Sequence, residues 1–417
     1  MTHKLKVEAG LVAVVAALGV GSALLQRRAV AAAAGGQAPR FEVNPMWPKP
    51  LPNHWVIGNT IGVSVDSNDH IWIIHRAGSL EAKETYLATN SARCCIAAPP
   101  VLEFDEEGNL LNHWGGPGQG YDWPLSNHGI TVDYKGNVWI GGNGRGTAPG
   151  AAKKKEGTPV EDQTAAGGYY HDNQVLKFTQ DGKFLMQIGK PGMSKGSNDT
   201  ANLRLPAKLF IDKKTDELYV ADGYGNRRVI VFDATTGAYK RHWGAYGNKP
   251  DDAPQGPYSP TATALQQYRS PVHCVALAND GLLYVCDRQH DRVQIFHPDG
   301  KFVSEHFFAK NTLASGSTWE IAFSRDPAQR FIYLTDGQNE RVRIVERASM
   351  KELTAFGRGG RQPSEFFGVH SIATDSKGNI YTTETYEGKR IQKFVYKGIG
   401  MVKAGDQGAV WPKSAAN

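Results

Sequence analysis

Three histidines, His128, His273 and His370, occupy one and the same position of an internal repeat, and only in alternate copies of it. Neutral imidazole suits zinc, iron, copper and nickel. Three imidazoles converging from three directions leave coordination positions open to water or a reactant, which marks a catalytic rather than a structural metal site. With 13 histidines among 417 residues, three in strict alternation is not what chance supplies, whereas one alone would read as a hydrogen-bonded core residue. The expected metal is Zn2+, with other divalent transition metals also suited.

Further chemistry sits one strand away. Arg76 in HIWIIHR and Arg288 in LLYVCDR share a repeat position that other copies fill with Asn143, Gly223, Gly337 and Thr385, so arginine is no requirement of the repeat. Tyr224 lies just beyond that position in ADGYGNRR. Arginine forks bind carboxylates through paired hydrogen bonds, and a tyrosine beside cations loses its proton more easily. With a central metal, these groups would make a cationic, carboxylate-seeking pocket. Taken singly, each has a plainer reading: arginines in rim salt bridges to Asp222 or Glu384, and a tyrosine packed in a turn.

The repeat itself must position these groups. Six copies carry a short apolar strand, a turn and a second strand: from Ile61, His128, Ala207, His273, Trp319 and His370. Most continue into two more strands, as in VLEFDEEGNLLNHWG and RVIVFDATTGAYKRHWG. Runs of Val, Ile, Tyr and Phe bounded by Asp, Asn and Gly predict antiparallel strands, and no stretch of similar length predicts an amphipathic helix. A unit of roughly 40 to 50 residues that cannot bury its own faces is the signature of a propeller. The fold class is therefore all-β, a six-bladed β-propeller over residues 41–400, with 401–417 as a tail. The outer strand of the last blade is expected from that tail or from the segment around Phe41 to Val43. The 47 glycines and 22 prolines fit a protein of many tight turns.

Alternation through six blades would carry the three histidines to the central axis. Because the first two strands of a blade are antiparallel neighbours, the start of one and the end of the other share a rim, so Arg76 and Arg288 belong beside the histidines. The insertions Ala77 to Pro99, Gly144 to His171 and Ala245 to Tyr268 should emerge on that same rim. Gly144 to Gly168 reads as mobile, and such loops either form a lid or are merely tolerated.

Residues 1–36 differ in kind. Lys4 and Lys6 precede the apolar stretch Leu11 to Leu25 and an alanine-rich segment, the layout of a secretory signal and short for a membrane span. Its removal leaves a formal charge near +3, since four of the cations and one of the anions behind the whole chain's +6 lie there. That charge does not suggest nucleic acid as a partner, and no stable membrane insertion is expected after cleavage. A periplasmic or secreted location permits disulfides. Counted outward from the turn, Cys274 faces Cys286, as a disulfide or as two packed thiols, while the adjacent Cys94 and Cys95 are not expected to bond easily to each other.

The strings HGITVD, PVHCVAL, GVHSIAT, IIHR, DGYGNR and CDR, set in NHL-type repeats from about Val56 to Lys397, resemble peptidyl-α-hydroxyglycine α-amidating lyases. The resemblance implies that His128, His273 and His370 bind catalytic zinc, that Tyr224 and Arg76 are catalytic, and that Arg288 lies in the active site. Two departures matter. Ser371 stands where the family has an aspartate that helps to hold calcium, which argues against a structural Ca2+, and Gly368 replaces a methionine of the pocket lining. No partner monooxygenase domain is expected to supply a peptidyl hydroxyglycine, which points to another carboxylate-bearing small molecule or peptide as substrate.

The implied activity is a carbon–nitrogen lyase acting on a carbinolamide, which falls to amide and aldehyde once its hydroxyl proton leaves; the metal would favour that loss, with Tyr224 as base and Arg76 on the carboxylate. Two rivals come from other classes. A propeller lactonase or esterase would gather carboxylates rather than imidazoles on the axis, and a non-catalytic NHL platform would bind a partner on its rim.

Overall fold

The computed structural model describes residues 34–146 and 170–412. The signal expected at 1–36 lies outside these except for Ala34 to Gly36, and so does the stretch after Gly146 that reads as mobile. Six four-stranded antiparallel sheets form the blades of a β-propeller. Their innermost strands are Asn59–Val65, Asn127–Val132, Lys208–Asp212, Val272–Leu277, Glu320–Phe323 and Val369–Thr374.

Local chemistry explains why each copy makes a hairpin. In blades one, two and six the first strand ends at Asp66, Asp133 or Asp375, whose carboxylate accepts backbone N–H groups of the following turn. The same carboxylate accepts a side-chain hydrogen bond from an aromatic residue of the second strand: Trp72, Trp139 or Tyr381. A β-turn is thereby tied to the sheet it opens.

Apolar residues of one blade interlock with those of the next. Trp72 and Ile74 of blade one meet Ile130 and Phe178 of blade two, and Cys274 and Tyr284 of blade four meet Ile321 and Phe323 of blade five. Each such side chain contributes about 1.5–3 kcal/mol when fully removed from water. No blade is covered on both faces without its neighbours, so the ring is the smallest closed unit. Cys274 pairs with Cys286 across the first two strands of blade four and is disulfide-bonded to it, with Cα atoms 4.8 Å apart. Cys94 and Cys95, not expected to bond easily, are also joined: the peptide between them is cis and their Cα atoms are 3.1 Å apart.

Closure of the ring falls to the N-terminal segment. Ala34–Asn44 pairs antiparallel with Arg390–Lys403 as the outer strand of blade six and so completes the last blade. The tail is not idle: Val43 donates its N–H to Val410 at 2.8 Å, and Gln407 and Gly357 make backbone hydrogen bonds between the tail and the outer strand of blade five. No helix among the described residues is long and apolar enough to cross a membrane.

Candidate metal centre

Each histidine reaches the hub because the ladder of its strand breaks there. Val272 pairs with Asp287 and Cys274 with Cys286, which leaves His273 unpaired. In blade six Val369 pairs with Glu384 and Ser371 with Thr383, leaving out His370, and blade two shifts register between His128 and Ile130. An extra residue in a strand leaves the alternating pattern and re-aims its side chain. The three imidazoles are almost fully buried, with ring centroids 4.8, 4.8 and 5.3 Å apart and candidate ligand atoms within 4.8 Å of one another.

Two of the rings have their tautomer fixed by the neighbouring blade. His128 Nδ1 lies 2.8 Å from the Ala207 carbonyl and His273 Nδ1 lies 2.6 Å from the Trp319 carbonyl. A carbonyl only accepts, so both Nδ1 atoms carry hydrogen and both Nε2 atoms offer lone pairs. Ala207 and Trp319 hold the histidine position of their own blades, so one repeat position supplies both ligand and orienting acceptor. Burial pushes the pKa of all three imidazoles far down; Arg288 adds to the effect at each, and Arg76 at His128 and His370. They are therefore neutral.

The Tyr224 hydroxyl lies 3.1 Å from His128 Nε2 and 3.0 Å from His273 Nε2, and it accepts a hydrogen bond from Arg288 at 3.0 Å. It has one hydrogen to give to two lone pairs. At least one buried nitrogen is thus left without a donor, and His370 Nδ1 is buried with no hydrogen-bond partner. A group of neutral nitrogen acceptors so short of donors fits a cation.

Arg76, Arg288 and Tyr224 all lie where the sequence put them, on the histidine rim. Arg76 donates to the Asn127 carbonyl at 3.1 Å and to Asn143 Oδ1 at 2.7 Å. The Arg288 guanidinium lies 4.5 Å from the centre of the Trp319 ring, and its Nε is buried without a partner. Rim salt bridges to Asp222 or Glu384 do not form. Asp222 is engaged by Arg228 at 2.9 Å and Glu384 by Arg390, so both carboxylates are already neutralised within their own blades.

Three further participants are not singled out by the sequence pattern. Asn143 holds Arg76, and Trp319 carries Arg288 and packs edge-on to His273 and His370. Both stand at informative repeat positions, those of the arginines and of the histidines, so their proximity is readable even if their roles are not. The third, Asp172, accepts N–H groups of Leu125, Ser126 and Gly144, and its carboxylate fills the space that a side chain on Gly142 would take. Burial raises its pKa to about 6, against the pull of those N–H groups and Arg76. No spacing signal announces it, because it follows an insertion.

A second cluster, Asp66, His70 and Glu103, also lies within metal-binding distance. There, however, Asp66 is committed to the turn, to Trp72 and to Gln180, and His70 to Glu103.

No protein-family model matches the chain. It is 23% identical over 374 residues to NHL repeat-containing protein 3 of Mus musculus, across 86% of this chain and 84% of that protein. It is 24% identical over 378 residues to peptidyl-alpha-hydroxyglycine alpha-amidating lyase 1 of Drosophila melanogaster, across 85% of this chain and 59% of the lyase. A probable peptidyl-alpha-hydroxyglycine alpha-amidating lyase of Caenorhabditis elegans is 26% identical over 247 residues, across 58% and 56% of the two chains. The chain thus resembles both NHL-repeat proteins and amidating lyases at low identity, and spans less than two thirds of either lyase.

Proposed function

We propose that the chain is a metal-dependent lyase that cleaves the C–N bond of an α-hydroxyglycine-like carbinolamide, releasing an amide and glyoxylate. The observation that carries this reading is the meeting of three neutral imidazoles, a tyrosine hydroxyl and the Arg288 guanidinium at one buried point, with Arg76 on the same rim and neither guanidinium paired to a carboxylate. His128, His273 and His370 would hold the metal, zinc being a natural choice for an all-imidazole set. When bound, it supplies Lewis acidity toward an oxygen that is losing its proton.

The side chains account for the rest of the reaction. Arg76, held in place by two neutral acceptors, grips the substrate carboxylate with its remaining N–H groups. Tyr224, its oxygen held by Arg288, takes the hydroxyl proton as it passes its own to the departing nitrogen. The electrons of the O–H bond become the new C=O bond, the C–N bond breaks, and the nitrogen leaves as the amide after taking a proton. Atoms and charge balance with no co-reactant. The buried hub keeps bulk water from the collapsing centre. The Cys274–Cys286 disulfide supports an exported protein, because an oxidising compartment preserves such a bond.

The test is glyoxylate release from α-hydroxyhippurate by purified protein. Wild type should exceed the spontaneous rate, lose activity to a strong chelator and regain it with Zn2+, while His273→Ala stays at background. Equal rates for wild type and His273→Ala would reject the lyase. The similarity to an NHL-repeat protein across most of both chains favours a second reading, a binding platform; that reading expects protein with no stoichiometric metal.

A further inference from the structure

One layer along the axis from the histidines, the chain buries an ion pair that no blade needs for its own fold. Lys208 follows Ala207 in blade three and Glu320 follows Trp319 in blade five, and their side chains meet although blade four separates their strands. Their side chains are 14% and 5% exposed, so the pair sits in a largely dry space. Ser371, next to His370, lies beside Glu320, and its Oγ accepts the Val63 N–H at 3.2 Å. In blades one and two the same layer holds only Gly62 and Gly129. A Cβ on Gly129 would meet the Ala207 carbonyl oxygen at 2.4 Å, so the bare backbone there leaves the His128 acceptor unobstructed.

The residues preceding the ion pair are the ones that orient the ligands. The Ala207 carbonyl receives His128 Nδ1–H and the Trp319 carbonyl receives His273 Nδ1–H. Lys208 and Glu320 are joined to those carbonyls through a single peptide unit each. A buried ion pair returns little net stability, because desolvation consumes most of the attraction. Its two charges do, however, fix the distance between strands that share no ladder.

We propose that Lys208 and Glu320 form a strut beneath the hub, positioning the two carbonyls that aim His128 and His273 at the metal. The proposal rests on the hub being a metal site. Lys208 and Glu320 are positioning residues, because neither touches the reacting atoms. Groups that orient metal ligands typically change metal affinity by about 10- to 100-fold when removed.

Full-length protein and a Lys208→Met/Glu320→Leu double variant, which removes the strut without leaving a lone buried charge, are titrated with Zn2+ against a chromophoric chelator. Both are also loaded with Co2+ for visible absorption. The expected result is about 10- to 100-fold weaker Zn2+ binding by the double variant and altered Co2+ bands, with Lys208→Arg closer to wild type. A folded double variant with wild-type affinity and bands overturns the strut while the hub stands. Wild type that binds neither ion overturns the hub, and the strut with it. If the double variant does not fold, Glu320→Gln is read instead, and unchanged affinity there counts against the strut. A purely structural pair would leave Zn2+ affinity alone when replaced, whatever the change in unfolding temperature, as Arg228→Met/Asp222→Leu is expected to do.

Discussion

Two sets of arginines lie near the ends of the second and third strands, and they differ in what neutralises them. In blades three to six, Arg228, Arg292, Arg343 and Arg390 are each bonded to the acid that ends the second strand: Asp222, Asp287, Asp336 and Glu384. Arg76 and Arg288 have no carboxylate within salt-bridge distance among the described residues; their hydrogen-bond partners are a carbonyl, an amide and a phenol. Blades one and two have also lost the strand-ending acid. His75 stands in its place in blade one, accepting the Gly58 N–H with a ring whose pKa burial lowers to about 4, and Gly142 stands there in blade two. A buried guanidinium without a counter-charge is expensive. The repeat places acids where arginine is structural, whereas Arg76 and Arg288 are left for the carboxylate that the proposed substrate would bring.

The division between the two sets is most exposed at Arg228. Arg228→Met leaves Asp222 buried and unpaired and should cost about 3–5 kcal/mol of stability, measured by urea unfolding, with glyoxylate release per folded molecule unchanged. Stability within error of wild type would erase the distinction between the two sets. Arg76→Met should do the reverse: kcat/KM on α-hydroxyhippurate should fall about 10²- to 10³-fold, roughly 3–4 kcal/mol, with little loss of stability. If this variant unfolds as readily as Arg228→Met, Arg76 is structural after all.

A pH titration carries the contrast to Asp172, the acid that replaces the missing one in blade two. Its pKa is raised by burial to about 6, above the ordinary carboxylate range, so the folded state holds a proton between about pH 4 and 6 that the unfolded state has lost. Stability should therefore fall as pH rises through that window, by about 2–3 kcal/mol, and level off above it. Asp172→Asn should abolish that component of the slope; an unaltered profile would mean that other groups set it. The smallest effect is expected at Asn143→Ala, which removes one neutral acceptor from Arg76 and should lower kcat/KM about 5- to 10-fold, near 1 kcal/mol, without changing metal content.

Much of this arrangement is legible in residue type and spacing. The strand patterns at Ile61, His128, Ala207, His273, Trp319 and His370 predict six blades, and alternation alone brings the three imidazoles together. Equal repeat position puts Arg76 and Arg288 on the histidine rim, and the facing of Cys274 by Cys286 follows from counting around a turn. Closure is not legible in this way, because both candidate strands could pair with Arg390–Lys403 and a ladder is made by backbone groups that every residue carries. Asp172 is hidden because an insertion carries it out of the repeat's register and back to Gly142.

What the chain fixes through side-chain type and spacing is periodic: strands of alternating polarity, turns at Asp and Gly, and imidazoles at every second copy. That information is local and survives in the unfolded chain. The tertiary structure decided which carbonyl meets which ring, which lysine crosses to which glutamate, and which guanidinium is left without an acid. Those outcomes depend on distances between residues tens to hundreds of positions apart. Burial then turns them into tautomer, charge state and pKa, and no property of a single residue type specifies them.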